Sequence, residues 1–257
     1  MVHPTAVIAD SATIGENVTI GPYCVIGDNV TIGDHCEFKS HVVIDGTTTI
    51  GESNVFYPFS AIGQQTQDLK FNNEPTALII GSHNTFRENT TIHRSTIEET
   101  PTTIGDHNNF LAYSHVAHDC QVGSHCIFSN NATIGGHVHV EDYAIISGLA
   151  GVHQFCRIGA HSLVGGMTKI VQDVPPFTIV DGSPATVRSI NFVGLQRRGF
   201  TDQDLAYLRR AYKRVFLKKN TNLAVSLAEL KIADSATNPH VQQLIAFLES
   251  ADRGVTR

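Results

Sequence analysis

Nearly every sixth residue through the first two-thirds of this chain is Ile, Val or Phe. From Val2 through Ile8, Ile14, Ile20 and onward to Ile170 there are 29 such slots, and 26 hold one of those three residues. An overall hydrophobic content of 41% would fill only about 12 by chance. The exceptions are Asp68, Glu74 and Glu98. A glycine often follows the aliphatic residue, as at Gly15, Gly21, Gly33, Gly51 and Gly135. A six-residue period does not suit a helix of 3.6 residues per turn. It suits short strands with alternating side chains, broken by a turn every hexad. Each hexad then forms one flat side of a coil, with the aliphatic residue inward and glycine relaxing the backbone at the corner. Three sides close a turn, so 18 residues make one coil, stacked about 4.8 Å above the last. Residues 2–176 make just under ten coils.

This pattern resembles that of the hexapeptide-repeat acyltransferases. The resemblance, not the period, implies a left-handed parallel β-helix, against the usual right-handed crossover. The non-apolar slots mark two polar loops, 63–79 and 97–103, leaving a rigid scaffold. After Pro175-Pro176 the period ends. Thr201-Asp202-Gln203-Asp204 has the form of a capping box, opening a helix to about Leu217. A polar break at Asn220-Thr221-Asn222 precedes a second helix to about Ala233, and Asn238-Pro239 starts a third. The expected architecture is an all-β left-handed parallel β-helix over residues 1–187 and a small α-helical domain over 188–257.

Charge divides the same way. Residues 1–187 carry 6 Lys/Arg and 18 Asp/Glu, while 188–257 carry 12 and 6. The first helix alone holds Arg209, Arg210, Lys213, Arg214, Lys218 and Lys219. A basic surface of this kind fits an acidic protein partner. Nucleic acid is the other class, but no aromatic interleaving or nucleic-acid motif supports it. No apolar run approaches the roughly 20 residues of a membrane span. Nor does the start, Met1-Val2-His3-Pro4, read as a secretory signal. Five cysteines, odd in number and without a CxxC pair, suggest reduced thiols in a cytoplasmic protein.

The 18-residue coil turns spacing into geometry. Asp119 and His137 become vertical neighbours; His118, Gly136 and Gln154 form the next column, and Ala117, Gly135 and His153 the one beyond. A histidine beside an aspartate has the makings of a general base near neutral pH. Gly136 below His118 leaves room for a reacting carbonyl, and its N–H is a candidate oxyanion donor if the ladder leaves it free. Cys120 faces away from His118, which favours direct transfer over a covalent intermediate. A metal reading of His93, His115, His118 and His137 is the alternative. His115 and His118 lie in different registers, however, and no metal is expected.

Longer segments narrow the resemblance. Ser114-His115-Val116-Ala117-His118-Asp119-Cys120, Gly135-Gly136-His137-Val138, Val152-His153-Gln154-Phe155-Cys156, Gln67-Asp68-Leu69-Lys70, Thr91-Ile92-His93-Arg94 and Gly194-Leu195-Gln196-Arg197-Arg198-Gly199-Phe200 resemble segments of the UDP-N-acetylglucosamine O-acyltransferases of lipid A synthesis. The resemblance covers nearly the whole chain. It implies transfer of a 3-hydroxyacyl chain from acyl carrier protein to the 3-hydroxyl of UDP-N-acetylglucosamine, without a separate cofactor, by a homotrimer. It implies His118 as general base, Asp119 as its orienting partner and the Gly136 N–H as oxyanion donor. By the same resemblance Asp68, Lys70, His115, His137, His153, Gln154, Asn191, Arg197 and Arg198 contact the nucleotide sugar or the pantetheine. Gly166, with Met167 beside it, sets the acyl length. Val193 departs from the acidic residue of other members, and Ser183-Pro184 from an Asn-His pair. Both departures leave a 3-amino acceptor open. The competing readings are an N-acyltransferase and a non-catalytic β-helical binding scaffold.

Overall fold

In the computed structural model, which describes residues 1–218 and 221–257, the hexads form three parallel sheets of nine, eight and ten strands, most of them two residues long. The first face runs from Val7–Ile8 to Lys169–Ile170 and the second from Thr13–Ile14 to Arg157–Ile158. The third runs from Thr19–Ile20 to Thr178–Asp181, closing on an antiparallel strand, Thr186–Ile190, which crosses the expected 187/188 boundary. The prism is the left-handed parallel β-helix expected above.

Pairing follows the 18-residue rule, as in Val7↔Val25 and His115↔Thr133. It shortens in the last coil, where Leu163 pairs with Ile179, sixteen residues on, and lengthens at two places. Ala61 pairs with Thr91, thirty residues on, and Thr91 with His115, twenty-four on. The two loops therefore insert twelve and six residues. These are whole hexads, which is why the three polar slots stay in phase.

Corner chemistry differs from the expectation. The left-handed backbone belongs to non-glycine residues three places after the aliphatic one, such as Asn17 (φ 56°), His35 (φ 58°) and His137 (φ 59°). The glycines answer a different need. A Cβ at Gly21 would lie 1.9 Å from the Lys39 carbonyl oxygen, so glycine there permits coil-to-coil approach. The interior is one continuous apolar column. Along it Phe38, Phe56, Phe86, Phe110 and Phe128 stack at 4.7 to 5.0 Å between ring centroids. Burying each such ring is worth roughly 2–3 kcal/mol.

The C-terminal part has its own core around Leu208, Val241 and Leu244. It comprises α1 (Phe192–Arg197), α2 (Asp202–Tyr212), α3 (Leu223–Lys231) and α4 (Pro239–Glu249). The Thr201/Asp204 capping box forms with both reciprocal bonds, and Asn238 caps α4. The first expected helix ends at Tyr212 and continues as a π-turn, Lys213–Leu217. Arg209 and Arg210 therefore lie on α2, with Lys213, Arg214 and Lys218 beyond it; Lys219 and Asn220 lie outside the described residues. α1 is too short, at six residues, to show as a period.

Candidate active site

The edge between the first and second faces gathers most of the expected residues. His118 Nδ1 lies 2.6 Å from Asp119 Oδ2, and His137 Nε2 is 3.6 Å from the same oxygen. The two imidazoles meet edge to face, and His137 stacks on Phe155. Burial raises the Asp119 pKa, but hydrogen bonds from His118 and Thr96 outweigh it, so the carboxyl ends below its usual range. It is a carboxylate at neutral pH. Nδ1 of His118 therefore donates to it, which leaves Nε2 with a lone pair.

The His118 ring lies over Gly136. A Cβ there would come 2.6 Å from His118 Nε2 and 2.5 Å from Cε1, so only glycine lets the ring sit over this coil. Among the described residues the Gly136 N–H has no hydrogen-bond acceptor. A proton acceptor and a free N–H donor thus share one small space. Cys120 is fully buried, donates to the Gly135 carbonyl, and burial pushes its thiol up to about 12. It is placed and titrated wrongly for a nucleophile.

Two hollows open on this edge and meet at Gln154. One, of about 500 Å³, is lined by Gln67, Asp68, Leu69, Lys70, His93, His115 and His118, with the first inserted loop forming its wall. In that loop Asp68 accepts from the Lys70 N–H. The other, of about 430 Å³, runs along the first face past Gly136, Gly151, Val152, His153 and Ile170. It is mostly apolar, and Gly151 leaves it open, with nothing within 4 Å of a would-be Cβ. His153 Nδ1 lies 3.1 Å from the Gln154 carbonyl oxygen and 3.3 Å from Arg253 Nη2, donating to the first in one tautomer and accepting from the second in the other.

His93 and His115 form the inner wall. Burial drives His93 down to about 4, aided by the neighbouring His115, His118 and Arg94. His115 is lowered for the same first reason and pairs with the Thr91 hydroxyl at 2.7 Å. Both are neutral at pH 7. Among the described residues, the group within metal-ligating reach is His118, Asp119 and His137, rather than the four-histidine set considered above. Asp119 Oδ2 already accepts from His118 and Thr96, an arrangement suited to proton transfer.

The structure places the remaining candidates elsewhere. Arg198 lies over the Tyr143 ring at 5.2 Å, on the edge between the second and third faces, with Nη1 buried and without a hydrogen-bond partner among the described residues. Burial lowers its pKa. Arg197 is exposed beside it, in the last turn of α1. Asn191 is spent on structure, its oxygen capping α1 at Gly194 N–H and its amide donating to the His161 carbonyl. Gly166 and Met167 sit at the edge joining the third face to the first, and Met167 is 75% exposed. Sequence reasoning missed Thr96 and Thr102, which hold Asp119, and left His93 out of the residues that line the first hollow. The Thr91-Ile92-His93-Arg94 segment was the one available signal for the last.

The profile described as UDP-N-acetylglucosamine O-acyltransferase, domain 2, matches residues 173–256, and that of the bacterial transferase hexapeptide matches 1–28, 11–46 and 101–136. The chain is 47% identical over 259 residues to the acyl-[acyl-carrier-protein]–UDP-N-acetylglucosamine O-acyltransferase of Stutzerimonas stutzeri, covering 100% of this chain and 99% of that one. Among solved structures, LpxA from Acinetobacter baumannii superposes with a TM-score of 0.96 at 42% identity, covering 100% of this chain and 99% of that chain. The UDP-N-acetylglucosamine acyltransferase of Francisella novicida does so at 0.95 and 35%, covering 100% and 94%.

Proposed function

The chain belongs to the UDP-N-acetylglucosamine O-acyltransferase family, and from that premise we propose how its own residues carry the reaction. The protein is an acyl-carrier-protein-dependent O-acyltransferase of lipid A biosynthesis. In our reading the acyl group is a 3-hydroxyacyl chain and the acceptor is the sugar 3-hydroxyl. His118 Nε2 takes the hydroxyl proton as the oxygen attacks the thioester carbonyl. Asp119 holds the ring in that tautomer and stabilises the imidazolium. The Gly136 N–H receives the oxyanion. Collapse expels the carrier thiolate, which His118 reprotonates, so ester and thiol form without a further cofactor. The observation that carries this is the 2.6 Å His118–Asp119 bond above an unengaged Gly136 N–H.

The polar hollow would take the sugar nucleotide and pantetheine, against Asp68, Lys70, His115 and Gln154, with His153 on the adjoining hollow and His137 beside Asp119. The apolar hollow along Gly151 and Ile170 would take the acyl chain, with Gly166 and Met167 bordering that face to set its length. Arg197 and Arg198 suit a diphosphate. They stand on another edge of the prism, so a homotrimer would supply them from a neighbouring copy, with Asn191 capping their helix and tying it to the His161 carbonyl. The basic surface of α2 and its π-turn fits an acidic carrier protein, and five unpaired, buried cysteines fit the cytoplasm.

The test is a mass-spectrometric assay with UDP-N-acetylglucosamine and a ladder of 3-hydroxyacyl carrier proteins, run beside His118→Ala. The expected result is an O-acylated nucleotide sugar and a loss of at least about 100-fold in the variant. A variant that keeps wild-type turnover removes His118 from the base role. Acylation only of a 3-amino analogue reassigns the acceptor.

A further inference from the structure

We propose that Thr96 and Thr102, which bracket the second inserted loop, are positioning residues that set the His118–Asp119 dyad; the proposal rests on His118 being the base. At successive corners the N–H of the left-handed residue bonds to a backbone carbonyl of the coil before, as His107 does to Ser82, Tyr113 to Glu88, His125 to Asp106, Asn131 to Ala112 and His137 to His118. Asp119 departs from this. It has the same left-handed backbone, φ 59°, but its N–H donates to the Thr102 hydroxyl at 2.8 Å. Tyr23 and Asn29 also donate to a hydroxyl, of Thr5 and Ser11, but those lie a full coil of 18 residues back; the Thr102 hydroxyl lies 17 back, at the end of the six-residue insertion.

The other end of the loop holds the carboxylate. Thr96 N–H donates to Asp119 Oδ1 at 2.9 Å, and the Thr96 hydroxyl to Oδ2 at 2.6 Å. Oδ2 thus accepts from Thr96 and from His118, with His137 next at 3.6 Å. Three donors around a carboxylate only 9% exposed leave it one orientation. That orientation fixes the direction of the bond to His118 Nδ1, and so where Nε2 points. A polar hexad in place of an apolar one at Glu98 costs the prism a buried slot. The insertion delivers two hydroxyls and an N–H to one aspartate. Neither threonine touches the hollows, so each acts through Asp119.

The experiment compares Thr96→Val, Thr96→Ser and Thr102→Val with wild type for kcat, for KM toward UDP-N-acetylglucosamine, and for the downfield proton resonance of His118 Nδ1–H. Thr96→Ala serves if Thr96→Val does not fold by circular dichroism. The expectation is that Thr96→Val lowers kcat about 10-fold or more with KM near wild type, as misplacement of a catalytic group does. Its Nδ1–H resonance moves upfield, and Thr96→Ser restores both. Thr102→Val shows a smaller loss of the same kind. Wild-type kcat or an unmoved resonance in Thr96→Val overturns the proposal. His118→Ala in the same assay separates the two readings. If that variant stays active the base assignment fails, while a shifted resonance in Thr96→Val still reports whether threonine sets the dyad.

Discussion

The prism and the helical part are built by opposite rules. In the prism most partners are set by an 18-residue interval, and a single apolar column runs the length of it. In the helical part partners are set by caps and by a separate, smaller core, joined to the prism through Phe177, Ile190 and the seam around His161. The prism is strongly acidic and the helical part basic. A repeat spreads its stabilisation over many equivalent contacts, whereas a short helix depends on a few end groups. The proposed reaction geometry lies on the regular part, but its orienting bonds come from one of the places where the regularity is broken.

The largest expected effect tests the column. Phe86 is fully buried between Phe56 and Phe110. Phe86→Ala is expected to cost about 3–5 kcal/mol by chemical denaturation, since rigid neighbouring coils cannot close over the cavity. A cost near 1 kcal/mol would show that the coils adjust and are not rigid.

Acid tests the prism against the seam. His93, in the prism wall, and His161, between prism and helices, are both pushed down to about 4, chiefly by burial. The unfolded chain protonates these rings near pH 6.5, while the native state resists until about 4. Between those values the unfolded state binds more protons, so stability falls as pH is lowered. The expected loss is on the order of 2 kcal/mol for each histidine by pH 4. Thermal melts of His93→Gln and His161→Gln should each show a flatter acid slope than wild type. An unchanged slope in either would clear that residue of the effect.

The smallest expected effect tests the caps. Asn238 accepts from the N–H groups of His240 and Val241 at the start of α4. Asn238→Ala is expected to cost about 1 kcal/mol, read by the same denaturation. A cost as large as that of Phe86→Ala would erase the contrast, because helix ends would then matter as much as the column.

Much of this was legible without coordinates. The period determined the prism. The 18-residue coil placed His137 and Gly136 beside His118 and Asp119, because in an unbroken stack the next coil always lies below. Local signals determined the capping box at Thr201 and the start of α4, since a cap bonds within three residues. Only the tertiary structure decided what lies across the insertions. Six and twelve added residues change the pairing interval from 18 to 24 and 30, so neither Thr96 nor Thr102 could be matched to Asp119 by counting. Only the fold, too, showed Asn191 spent as a cap and Arg198 laid over Tyr143 on another edge. Those positions depend on where a helix returns to the prism, and short helices carry no period that says where.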